Sequence, residues 1–196
     1  LLEPIEWTGD GWFRATGGDL GQPLRKPAGQ ALAPHGMALS DDFRGSTLGP
    51  QWAFFNPAPD EYRRLGFSGN GLVLEGKGNS PRDASPLTTI AGDPAYQFDV
   101  EMEIAPGAVG GALLFYSDRL YAGVGSNGES FIMHRYGEER PARLAAGARG
   151  GRLWLRGTNN RHIVTFHSSI DGHTWQKYPV QMEVSGYHHN CLLYTS

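Results

Sequence analysis

Three carboxylates, Asp99, Glu101 and Glu103, recur at every second position of an otherwise apolar run. Extended backbone puts such a series on one face, with neighbours roughly 6.5–7 Å apart, and closely paired carboxylates are the apparatus of glycosidic-bond hydrolysis. A solvated strand face has the same pattern, and that reading carries more weight. The opposite face, Tyr96, Phe98, Val100, Met102 and Ile104, is uniformly apolar and reads as core. Arg152-Leu153-Trp154-Leu155-Arg156 repeats the alternation with different chemistry. Its leucines take one side, and Trp154 takes the other with both arginines. An indole beside guanidinium donors suits stacking on a sugar ring and bonding its hydroxyls, and suits a domain contact equally well. His134-Arg135-Tyr136 sets three polar side chains of some reach at a strand end.

Other constellations are weaker. Gly123-Val124-Gly125-Ser126-Asn127-Gly128 has dinucleotide-loop spacing, but strand-like residues follow it where such a loop must open a helix. The seven histidines (His35, His134, His162, His167, His173, His188 and His189) match no zinc spacing. Asp41-Asp42 could contribute oxygen ligands to a structural calcium ion, and no other cofactor is implied. No nucleophile elbow, phosphate loop or His-Glu-x-x-His run is present. No residue receives a catalytic or metal-binding role.

The elements that must position these groups are strands. Tyr96–Ile104, Leu120–Gly125, Ser130–Tyr136, His162–Ser169 and His173–Tyr178 are short runs bounded by turn residues, with Asn127-Gly128 and Asp171-Gly172 as hairpin signals. Gly110–Tyr116 reads as a buried strand, and Leu72–Glu75, Pro86–Ile90 and Arg152–Arg156 complete the set. Pro141–Arg149 is Ala-rich but short and interrupted by glycine. No segment holds a sustained helical period, so the expected fold is all-β, a two-sheet antiparallel jelly-roll-like sandwich. The 28 glycines and 13 prolines among 196 residues agree with many tight turns.

Residues 1–37 read as an irregular segment anchored by Trp7, Trp12 and Phe13, residues 38–190 as the sandwich, and 191–196 as a non-native tail. The tail, Cys191-Leu192-Leu193-Tyr194-Thr195-Ser196, reads like a translated sequencing adapter. Cys191 is the single cysteine, so no internal disulfide forms. A net charge of −3, with no Lys/Arg cluster larger than a pair such as Arg25-Lys26, gives a nucleic acid or anionic membrane no electrostatic purchase. No apolar run reaches the roughly 18 residues of a membrane helix.

Leu2-Glu3-Pro4-Ile5-Glu6-Trp7-Thr8-Gly9-Asp10-Gly11-Trp12 resembles the closing motif of the five-bladed propeller in glycoside hydrolase family 43. Asp41-Asp42-Phe43, Leu48-Gly49-Pro50-Gln51-Trp52 and Phe54-Phe55-Asn56-Pro57 resemble the opening of that family's C-terminal concanavalin A-like sandwich. Ser85-Pro86-Leu87, Leu113-Leu114-Phe115-Tyr116, Ser168–Trp175 and Ser185–Asn190 are similar to its later strands, in the same order. The resemblance implies a parent acting on hemicellulose oligosaccharides as a β-xylosidase or α-L-arabinofuranosidase. It implies catalytic acids in the propeller and none in this chain. It further implies that the sandwich packs on the propeller and helps wall the pocket, with His134, Arg135 and Trp154 near that wall and Trp7, Trp12 and Phe13 against the propeller. The sandwich is expected to stop before its last strands. The alternatives are a freestanding lectin-like carbohydrate-binding module and, less favoured, a sandwich-fold glucanase using Asp99, Glu101 and Glu103.

Overall fold

The computed structural model describes residues 3–19, 21–22, 38–141 and 152–187. Arg25-Lys26, His35, the Ala-rich Pro141–Arg149 beyond Pro141, His188-His189 and the tail 191–196, all singled out in the sequence, lie outside the described residues. The chain divides into two compact units, Leu1–Gly36 and Met37–Ser196.

In the first unit, β1 (Ile5–Trp7) pairs antiparallel with β2 (Phe13–Ala15). The sequence reading treats this stretch as irregular. A hairpin forms because Thr8 and Asp10 close the turn: the Thr8 amide donates to the Trp12 carbonyl (2.7 Å), and Gly11 takes φ 85°. Period-two alternation then sorts the side chains, with Ile5, Trp7, Phe13 and Ala15 on one side and the Glu6–Arg14 ion pair on the other.

The second unit is built from short elements and two larger sheets. In chain order these are β3 (Ala53–Phe54), a 3₁₀ turn (Glu61–Arg64), β4 (Leu65–Phe67), β5 (Leu72–Leu74), β6 (Leu87–Thr88) and β7 (Ala95–Glu103). There follow β8 (Gly110–Ser117), β9 (Leu120–Ser126), β10 (Phe131–Arg135), β11 (Glu138–Pro141), β12 (Arg152–Asn160), β13 (Ile163–Ser169), β14 (Gln176–Lys177) and β15 (Met182–Glu183). One sheet runs β11-β10-β9-β8, and the other runs β14-β13-β12-β7 with β15 also on β13. Every pairing is antiparallel.

The core lies between these two sheets. Leu153, Leu155, Val164 and Phe166 meet Ala112, Ala122, Val124, Phe131 and Met133, and Phe98, Val100 and Met102 pack against them. Full burial of one such large side chain is worth roughly 1.5–3 kcal/mol. Leu155 is 0% exposed. The packing is tight enough to dictate a glycine: a Cβ at Gly157 would lie 2.3 Å from the Phe98 ring. The all-β sandwich expected from alternation is the architecture observed.

The elements between Ala53 and Thr88 tie together around Glu61, 2% exposed. Its carboxylate accepts from Arg64, from Lys77 (2.7 Å) and from the Ala58 amide (3.1 Å). The lysine bond is the largest of the effects that hold its pKa down to about 2.

Candidate functional site

Alternation about the core gives the five-stranded sheet an outer face bearing Asp99, Glu101, Trp154, Arg156, His167 and Ser169. The residues are close partners across strands: Arg156 stands opposite Asp99 and His167, and Trp154 opposite Glu101 and Ser169. Arg156 binds both Asp99 oxygens at 2.7 Å. It also stacks on Trp175, 3.9 Å from guanidinium carbon to ring centroid. Glu101 pairs with Arg152 at 3.2 Å. Two of the three carboxylates with hydrolase-like spacing are therefore engaged by arginines of the neighbouring strand.

The turn after β13 completes this face. Asp171 accepts from the amides of Thr174 (2.7 Å) and His173 (2.8 Å) and from the Ser169 hydroxyl (2.9 Å), which hold its pKa well below the carboxylate range. Gly172, at φ 72°, lays bare backbone against the Trp154 indole, whose atoms a Cβ would meet at 3.2 Å. The Asp171-Gly172 signal thus fixes a turn that packs on Trp154 and leads straight to Trp175.

His134 and Trp154 do not share a surface. His134 is on the other sheet, facing away from the common core, because its neighbour Met133 is in that core. It is 6% exposed and lies 5.6 Å from the Tyr121 ring. Tyr121 stacks on Phe115 (5.7 Å), which meets Phe55 (4.9 Å). His134 is therefore a covered packing residue and lacks the reach that its position at a strand end implied. Its Nδ1 is buried without a hydrogen-bond partner, and burial lowers its pKa.

Arg135 alternates to the core side of β10, at the end of the sandwich. The chain then turns through Tyr136 (φ 52°) and Gly137 (φ 72°), with Arg135 directly opposite Glu138. This is the two-residue turn with both residues left-handed that hairpins favour, and a tyrosine fills a position usually given to asparagine or glycine. The sequence reading places such a turn at Asn127-Gly128, which instead sits in a four-residue loop between paired Ser126 and Phe131. The consequence at Tyr136 is exposure of its ring, 5.2 Å from the Arg135 guanidinium carbon. Tyr187 closes the corner. Its hydroxyl accepts from the Tyr136 amide (3.4 Å) and is pushed up to about 12, chiefly by burial. Sequence reasoning missed Tyr187 and the turn geometry.

Trp7, Trp12 and Phe13 are 73%, 72% and 55% exposed within their hairpin unit. Trp7 and Phe13 meet edge to face at 5.8 Å. Asp41 is a hydrogen-bond hub, receiving the Phe43 amide (2.8 Å), the Gln51 amide group (3.0 Å) and the Trp52 indole (3.2 Å). Among the described residues no group of three or more His, Cys, Asp or Glu could hold a metal.

Comparison with curated proteins finds no match. Solved structures share the fold, three of them as follows. The family 43 protein BlXynB of Bacillus licheniformis is 21% identical with a TM-score of 0.71, covering 97% of this chain and 39% of that one. A xylan β-1,4-xylosidase of Bacillus halodurans is 18% identical with a TM-score of 0.69, covering 96% and 40%. Protein GH43B of a Bacteroides ovatus xyloglucan locus is 16% identical with a TM-score of 0.65, covering 97% and 40%. The chain thus spans about two-fifths of the length of these relatives. Residues 40–190 match the family described as the β-xylosidase C-terminal concanavalin A-like domain. With an antiparallel sandwich carrying that match over most of its length, the chain belongs to this family of glycoside hydrolase family 43 C-terminal domains.

Proposed function

We propose that the chain is the accessory sandwich of a hemicellulose-degrading glycosidase, a β-xylosidase or α-L-arabinofuranosidase, and that it stabilises and narrows a substrate pocket carried by the catalytic domain of the same parent. The observation that carries this reading is the match of residues 40–190 to β-xylosidase C-terminal domains in a chain two-fifths as long as its solved relatives. Bond cleavage belongs to the rest of the parent. The carboxylates best placed to attempt it here, Asp99 and Glu101, are occupied by Arg156 and Arg152.

The exposed side chains divide the work. Ile5, Trp7 and Phe13 form an apolar hairpin face suited to burial against the catalytic domain, with Trp12 beside it. Arg135 and Tyr136 offer a guanidinium and a ring to whatever lines the pocket rim, with His134 as packing support behind them. Trp154 and Trp175, on the far face, serve the sandwich itself. Asp41 acts as a structural hub and no cofactor is required.

Hydrolysis of aryl β-xylosides and aryl α-L-arabinofuranosides by the complete parent tests this and names the substrate. The parent is expected to cleave one of them, with kcat/KM reduced on deletion of residues 38–190, and this chain alone to cleave neither. Turnover by the chain alone, or a parent with no glycosidase domain, would overturn the reading.

A further inference from the structure

Three cations among the described residues are half-buried: Arg64, Arg135 and Arg156. Arg64 has Glu61 and Arg156 has Asp99. Arg135 has no carboxylate within ion-pair distance, although all 20 acidic residues of the chain lie among the described ones. Its Nε is buried and makes no hydrogen bond. Two acidic residues at this corner, one across the ladder from Arg135 and one whose carbonyl receives the Tyr136 hydroxyl, are committed elsewhere. Glu138, opposite Arg135 in the ladder, bonds Arg140 at 3.0 Å, and Glu183 accepts from the Ser185 amide at 2.7 Å. What Arg135 does have is the Tyr136 ring on one side and Tyr187 close by.

Burying the Nε–H of a half-buried guanidinium without an acceptor is unfavourable, and folded proteins offset such a loss with a paired, hydrogen-bonded anion. No side-chain carboxylate of this chain supplies one. The turn that builds the corner also forces a tyrosine to positive φ, a conformation that persists only where the surroundings impose it. A stationary deficit of this kind calls for a permanent partner rather than a transient ligand, and the solved relative BlXynB is matched over 39% of its length by this chain, so on the accessory-domain reading a catalytic domain is there to supply it.

We infer that Arg135 is an interdomain anchor, its guanidinium receiving an aspartate or glutamate carboxylate from the catalytic domain of the same parent while the Tyr136 ring packs beside the pair. The inference rests on the accessory-domain reading and specifies one contact of it. The planar fork of arginine suits bidentate capture of a carboxylate, and an aromatic wall sheds the water that would otherwise screen the pair.

The test uses the intact parent without sugar, treated with phenylglyoxal and mapped by peptide mass spectrometry. Exposed Arg119 and Arg161 serve as references, and N-bromosuccinimide oxidation of Trp7 is read in parallel as a report on the hairpin. Arg135 is expected to react about tenfold more slowly than Arg161, the protection of a paired and hydrogen-bonded group. In the parent carrying Arg135→Gln, the thermal midpoint should fall and depend less on salt. Rapid labelling of Arg135 with Trp7 protected would overturn the anchor and leave the domain contact standing. Rapid labelling at both positions would overturn the accessory reading as well. Protection of Arg135 by glucuronate alone would overturn the anchor in favour of an acidic-sugar site.

Discussion

Arg156, on the outer face of one sheet, and Arg135, on the core side of a strand in the other, are both half-buried and live in opposite circumstances. Arg156 is met by both Asp99 oxygens and a tryptophan face. Arg135 is met by a tyrosine ring and no anion. The neutral imidazoles His134 and His167 also keep a buried nitrogen without a partner, but of the half-buried cations the fold completes Arg64 and Arg156 and leaves Arg135, which marks that charge as addressed to something beyond the chain. Apparent active-site chemistry in a sequence, such as the Asp99/Glu101/Glu103 series, can therefore be ordinary cross-strand pairing. A lone arginine with no motif around it can be the more informative residue.

The contrast can be broken most severely from below. Leu155→Ala empties part of the core behind Trp154 and Arg156 and should lower the unfolding free energy by about 2–5 kcal/mol, read as a shifted urea midpoint. A loss under 1 kcal/mol would mean that the sheets are not packed as described.

Glu61→Gln tests the other self-satisfied cluster through pH. With a pKa near 2 when folded and 4.5 as the ordinary value, Glu61 stabilises the fold above pH about 4.5, and that contribution disappears as pH falls toward 2. The variant should be less stable at neutral pH and show a flatter acid limb between those values. An acid limb identical to that of the parent sequence would remove Glu61 from the account.

Smallest and sharpest is the matched pair. Arg156→Met should cost about 1 kcal/mol, because the bidentate pair is partly exposed and screened. Arg135→Met in the same chain should change stability by less than about 0.5 kcal/mol or raise it, since an unpaired half-buried charge is removed. Equal losses at both positions, measured by denaturant titration, would erase the distinction between them.

Much of this architecture was legible because period-two alternation is a strong local signal. Tyr96–Ile104 and Arg152–Arg156 place every named side chain on the side expected of it. The hairpin of residues 5–15 was hidden because its alternation is spread over two three-residue strands and masked by the glycines between them. The Tyr136-Gly137 turn escaped notice because its first residue is one that propensity argues against. His134 could not be placed by alternation alone. Facing away from the core predicts exposure, and only the edge-to-face contact of the sequence-remote Phe55 with Phe115, and the stacking of Phe115 on Tyr121, explain why that face is covered.

Among the described residues the ladder of β1 and β2 is two strands wide, so each strand keeps an outer edge with no ladder partner, and beside these edges stand Trp7, Trp12 and Phe13. Where nothing covers it, this face of the chain is adhesive. Copies will meet hairpin to hairpin as concentration rises, and light scattering should show growing particle mass that Trp7→Ser with Phe13→Ser suppresses while leaving the sandwich folded.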